Sequence, residues 1–135
     1  MRAMMRCTGL KKRRWNVLIV EDDALVAWSI DEVLSLLGFE VVGVATNVGD
    51  ALRIAEEALP DLAIFDVRLS GRRDGIEGAA LLRDRLGLPS VFVAAREDKA
   101  ARRRVAKAGA AGCVDKPVHY KQLVSVVEGA LAEQD

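Results

Sequence analysis

Acidic and basic residues stand directly after short aliphatic runs at several separated places in the chain. Glu21, Asp22 and Asp23 follow "VLIV", Asp66 follows "LAIF", and Lys116 lies in "VDKP" near the other end. Carboxylates crowded together are costly unless a hard cation neutralises them, and an all-oxygen set of ligands suits Mg²⁺ or Mn²⁺. A carboxylate nucleophile, acids that hold a cation and an ammonium group are the parts needed to move a phosphoryl group. Cation and ammonium offset the charge on its oxygens while the carboxylate of Asp66 attacks in line. Each feature has an ordinary explanation when taken alone: Asp23 as a helix cap, Asp66 as a polar strand end, Lys116 as a solvated surface residue. Their conjunction is far more specific than any member.

Such a cage needs a scaffold that brings separated segments together. From Asn16 onward, short aliphatic runs alternate with segments of helical period, the pattern of a parallel sheet. Strands are expected at residues 17–20, 40–45, 62–65, 90–94 and 113–115. Val26, Ile30, Val33, Leu34 and Leu37 fall on one helical stripe, and Ala51, Leu52, Ala55, Ala58 and Leu59 on the next. Gly38 and Pro60 follow these stripes as stop signals. A third helix is expected over about residues 76–86, a richly charged fourth over 98–108, and a last one on Leu123, Val126, Val127, Ala130 and Leu131. The reading is an α/β fold, a flavodoxin-like (βα)5 three-layer sandwich with strand order 2-1-3-4-5. Sites in such sheets form at the carboxyl ends of the strands, where the acids stand.

The 135 residues, about half of them hydrophobic and few aromatic, suit one domain with an aliphatic core. Net charge is zero, but Arg2, Arg6, Lys11, Lys12, Arg13 and Arg14 leave 14 basic against 20 acidic residues in 15–135, a body of net charge −6. An acidic body argues against a broad nucleic-acid surface. Residues 1–14 are expected to be a basic, disordered segment and 15–135 the domain. Cys7 and Cys113 form no disulfide framework, which fits a reducing, cytoplasmic setting, and no run has membrane-spanning or secretory character.

The segments "VLIVEDD", "PDLAIFDVRL", "DGIEGA" and "AGAAGCVDKPV", in this order and spacing, resemble the receiver domain of two-component response regulators over residues 16–133. The resemblance implies that Asp66 is phosphorylated by a histidine kinase or histidine phosphotransfer protein. It also implies Asp22 as a direct Mg²⁺ ligand, Glu21 as a ligand through water, the Arg68 backbone carbonyl as a further ligand, Lys116 as a phosphoryl contact, and a cis Lys116–Pro117 bond. The expected protein is a single-domain response regulator, not an enzyme, that signals by binding an unknown downstream protein, since the chain ends just after the last helix. The alternative is a degenerate receiver that binds partners without phosphorylation. An aspartyl-phosphate hydrolase would want an acid two residues after its nucleophile, where Arg68 stands.

Two positions depart from the family pattern. Ala94 replaces the hydroxyl residue at the end of the fourth strand, and Cys113 replaces the switch aromatic. Arg68 and Arg96 are candidate replacement donors to the phosphoryl oxygens. Leu25 and Ser29, with Glu32 and Leu36, form a candidate docking stripe for the phosphodonor. The basic fourth segment and the last helix form a candidate dimer face. Trp28 is expected on the exposed side of the first helix.

Overall fold

The computed structural model describes residues 14–69 and 74–133. Strands β1 (Asn16–Val20), β2 (Glu40–Ala45), β3 (Leu62–Asp66), β4 (Ser90–Ala95) and β5 (Gly112–Lys116) alternate with helices. These are α1 (Ala24–Leu36), α2 (Val48–Ala58), α3 (Gly75–Leu86), α4 (Lys99–Lys107) and α5 (Tyr120–Ala132). The sheet is parallel throughout, with the expected order 2-1-3-4-5.

Alternation along each strand sends side chains to two cores. Leu18, Val20, Ala63, Phe65, Phe92 and Ala94 meet α2, α3 and α4 on one face. Val17, Ile19, Ile64, Val91, Val93 and Val114 meet α1 and α5 on the other. Burial on both faces is why the strands read as continuous aliphatic runs. It also pins their register, since a slip of one residue would exchange the two cores.

Every helix starts at the carboxyl edge of the sheet, and four starts are capped by side chains. Asp23 accepts from the Leu25 and Val26 N–H groups, Asn47 from Asp50, and Asp98 from Ala101. Asp74 forms a reciprocal capping box with Glu77.

The stripes of α1 and α2 are buried or partly buried except at their last residues. Leu37 and Leu59 were expected to join the core and are instead exposed. Each lies just past the last helical residue, Leu59 in the left-handed region at φ 49°, so the helical period no longer aims it at the sheet. Residues 1–13 lie outside the described residues, and with them most of the expectation for the basic segment. Arg14, its last member, pairs with Glu40 at 3.0 Å. No helix among the described residues is long and apolar enough to cross a membrane.

Candidate functional site

Asp66 closes β3, and its register partner Val93 in β4 fixes the height at which its carboxylate emerges. Glu21 directly follows β1, the strand next to β3, and its N–H donates to Ala45 O at 2.9 Å. Lys116 is the last residue of β5. Its Nζ lies 3.1 Å from Asp66 Oδ2 and 3.6 Å from Glu21 Oε1. Ligand atoms of Glu21, Asp22 and Asp66 all lie within 4.8 Å of one another. Three strand ends thus bring together the acids and the ammonium that the sequence singled out.

This cage is electrostatically incomplete. Glu21 is 2 % and Asp66 4 % exposed, so water does little to screen them. Burial, and then the adjoining Asp66 carboxylate, push Glu21 up to about 7, and the Asp23 N–H and Lys116 pull against this without prevailing. Glu21 Oε1 is buried, and the 3.6 Å to Lys116 is an ion-pair separation too long for a hydrogen bond. A buried carboxylate oxygen without a hydrogen bond, beside two further acids, has the character of a hard-cation ligand. The residues present therefore fit Mg²⁺ or Mn²⁺.

The other expected site residues stand around the cage. The Arg68 N–H donates to Asp66 Oδ1 at 3.1 Å, which turns the loop back over that carboxylate. The Arg68 guanidinium points elsewhere, gripping Asp98 through two bonds of 2.7 and 2.9 Å. The Arg68 pair first, then the Ala101 N–H, hold the Asp98 carboxyl down at about 2. Arg96 likewise has a carboxylate partner, Asp115, at 3.2 Å. Ala94 is buried beside the cage and brings no hydroxyl. Cys113 is half-buried under α4, with Arg102 Nη1 4.0 Å from its Sγ. The Lys116–Pro117 bond is cis. On α1, Leu25 and Leu36 are exposed, Ser29 is half-buried, and Trp28 is 61 % exposed as expected.

Four further residues shape the site. Asp98 and Asp115 hold the arginines, with Asp115 also paired to Arg102 and bonded to Gln122. Asp74 begins α3 and takes Arg104 of α4 at 2.6 Å. Gly75 lets α3 start against the backbone of Asp66. Asp98 was legible as a helix start, but its partner, 30 residues earlier, left no periodic trace.

Comparisons with known proteins agree with this fold. The family model for the response regulator receiver domain matches residues 17–128. The transcriptional regulatory protein PdtaR of Mycobacterium tuberculosis is 35 % identical over 117 residues, 87 % of this chain and 57 % of PdtaR. The chain therefore spans somewhat more than half the length of that relative. A signal receiver domain of a modulated diguanylate cyclase from Desulfovibrio desulfuricans superposes with a TM-score of 0.83 at 34 % identity, covering 90 % of this chain and 97 % of that one. A response regulator structure from Chloroflexus aurantiacus gives 0.82 at 33 % identity, covering 89 % and 99 %.

Proposed function

The chain belongs to the response regulator receiver domain family, and on that premise we propose that Asp66 takes a phosphoryl group from the phosphohistidine of a histidine kinase or phosphotransfer protein. The phosphorus–nitrogen bond of the donor breaks, its electron pair returns to the imidazole, and a bond forms from an Asp66 oxygen to phosphorus. The observation that carries this reading is the convergence of Lys116 and two further acids on the one carboxylate that ends β3.

Each residue has a proposed part. Asp22, Asp66, Glu21 and the Arg68 carbonyl would hold Mg²⁺, which when bound neutralises charge on the phosphoryl oxygens. Lys116, 3.1 Å from Asp66 Oδ2, would meet a phosphoryl oxygen. Leu25, at 74 % exposure, and Ser29 offer the donor a surface on α1, at the start of which lie the acids Glu21 and Asp22. The output is a contact with a downstream protein, with α4 and α5 as the candidate face for it or for a second copy of the chain. The free thiol of Cys113 suits the cytoplasmic setting proposed for such signalling.

A second reading, a receiver that binds partners without phosphorylation, is favoured by Ala94 and Cys113, which remove the family's hydroxyl and aromatic. One experiment separates the two. The protein is incubated with acetyl phosphate and Mg²⁺, and the intact masses of wild type and Asp66→Asn are compared. The proposal expects a Mg²⁺-dependent gain of one phosphoryl mass in wild type alone. No gain under any condition favours the second reading.

A further inference from the structure

Helix α4 has little apolar anchorage: of its 9 residues only Ala101 and Val105 are buried. Ion pairs tie it down at several points. Asp98, its N-cap, is gripped by Arg68; Arg104 reaches Asp74 at the start of α3; Arg102 pairs with Asp115 of β5. Losing one of these ties frees a larger share of this helix than it would of a well-buried one.

Arg68 connects that helix to the chemistry. Its N–H already donates to Asp66 Oδ1 at 3.1 Å, and its side chain is 60 % exposed, so the guanidinium can change partner without disturbing the core. Phosphorylation adds a charge of about −1.5 to −2 and three acceptor oxygens beside the backbone of this same residue. Asp98 offers a single charge. The planar guanidinium fork fits either anion, so the two compete for it. Arg96 stands after β4 with its guanidinium on Asp115 at 3.2 Å, whereas Arg68 is bonded to Asp66 through its own backbone.

We propose that Arg68 is a phosphoryl-positioning residue held in reserve by Asp98: when Asp66 is phosphorylated, the guanidinium leaves Asp98 for the phosphoryl oxygens, prolongs the life of the aspartyl phosphate and unties the first turn of α4. The exchange deepens the phosphoacceptor reading and rests on it. It links the site to α4 without the hydroxyl and aromatic that Ala94 and Cys113 lack.

The test is a double-mutant cycle on phosphoryl lifetime, read by intact mass after acetyl phosphate is removed, in wild type, Arg68→Ala, Asp98→Asn and the double variant. Asn keeps an oxygen for the Ala101 N–H, so the cap persists while the charge is lost. Asp98→Asn should lengthen the lifetime by about 1.5- to 5-fold, the span of an exposed ion pair. Arg68→Ala should shorten it, and the double variant should match Arg68→Ala, since no guanidinium remains to be released. In backbone NMR spectra, the Ala101 and Arg102 amide signals should shift on phosphorylation in wild type and stay in place in Arg68→Ala. An Asp98→Asn effect that is absent, or equal with and without Arg68, overturns the exchange while leaving the phosphoacceptor reading intact. A wild type that never gains the phosphoryl mass overturns both.

Discussion

A β-carbon on Gly75 would lie 2.0 Å from the backbone oxygen of Asp66. The first residue of α3 thus presses directly on the last residue of β3, and the Gly75 N–H donates to Val67 O at 3.0 Å. The helix clamps the segment that carries Asp66, and only a residue without a side chain permits that approach.

Gly75→Ala should therefore displace the Asp66 backbone. An overpacked contact of this kind costs about 1–3 kcal/mol, measurable by urea unfolding, and the acetyl phosphate reaction should slow with it. Gly49→Ala is the control. Its added carbon meets nothing closer than Asn47 Oδ1 at 3.4 Å, so stability and phosphorylation should hold.

Glu21 should set the pH dependence of Mg²⁺ binding. Its carboxyl is raised from 4.5 to about 7 in the fold, so between those values the folded protein keeps a proton that the unfolded chain has lost. Without metal, stability should fall as pH rises from 4.5 to about 7 and then level off. Mg²⁺ must displace that proton, so its affinity should climb over the same range and flatten above it. Titration calorimetry from pH 5.5 to about 8.5 checks this, with Glu21→Gln expected to remove the contribution of this group to the slope.

Asp66→Asn removes a charge from a crowded acid cluster. At about pH 8, where Glu21 is ionised, and in EDTA, it should raise stability by on the order of 1 kcal/mol, seen as a higher melting temperature. Added Mg²⁺ should shrink or reverse the difference, because the cation relieves the same repulsion in wild type.

The fold was legible because burial on both faces forces aliphatic runs, and because helix stripes at Ile30, Leu34, Leu123 and Val127 match the 3.6 period. Glu21, Asp22, Asp66 and Lys116 were legible because a doubly wound sheet collects its strand ends at one edge. The Arg68–Asp98 and Arg104–Asp74 pairs were not. Exposed ion pairs between residues 30 apart obey no period, and any of several arginines would satisfy the same carboxylate. The clamp at Gly75 escaped for a similar reason, since a steric contact with a distant backbone leaves no composition signal. Leu37 and Leu59 misled by continuing a stripe past the helix that gives it meaning.

Asp115 joins β5 to α4 and α5: it takes Arg96 and Arg102, and its N–H and carboxylate both bond Gln122. Burial opposes its ionisation, but the bonds from Gln122, Arg102 and Arg96 outweigh it and lower its pKa. Asp115→Ala should cost about 2 kcal/mol, the value of a hydrogen bond to a charged group, in a urea melt. It should also raise hydrogen exchange in α4 more than in α1.

On the phosphoacceptor reading Asp66, and no other acid of the cage, carries the phosphoryl group. Borohydride reduction of the protein after reaction with acetyl phosphate and Mg²⁺ converts an aspartyl phosphate to homoserine, and tandem mass spectrometry locates the conversion. Homoserine is expected at position 66, with aspartate retained at position 22. Homoserine at position 22, or aspartate intact throughout a preparation that has gained the phosphoryl mass, would put the phosphoryl group on another residue.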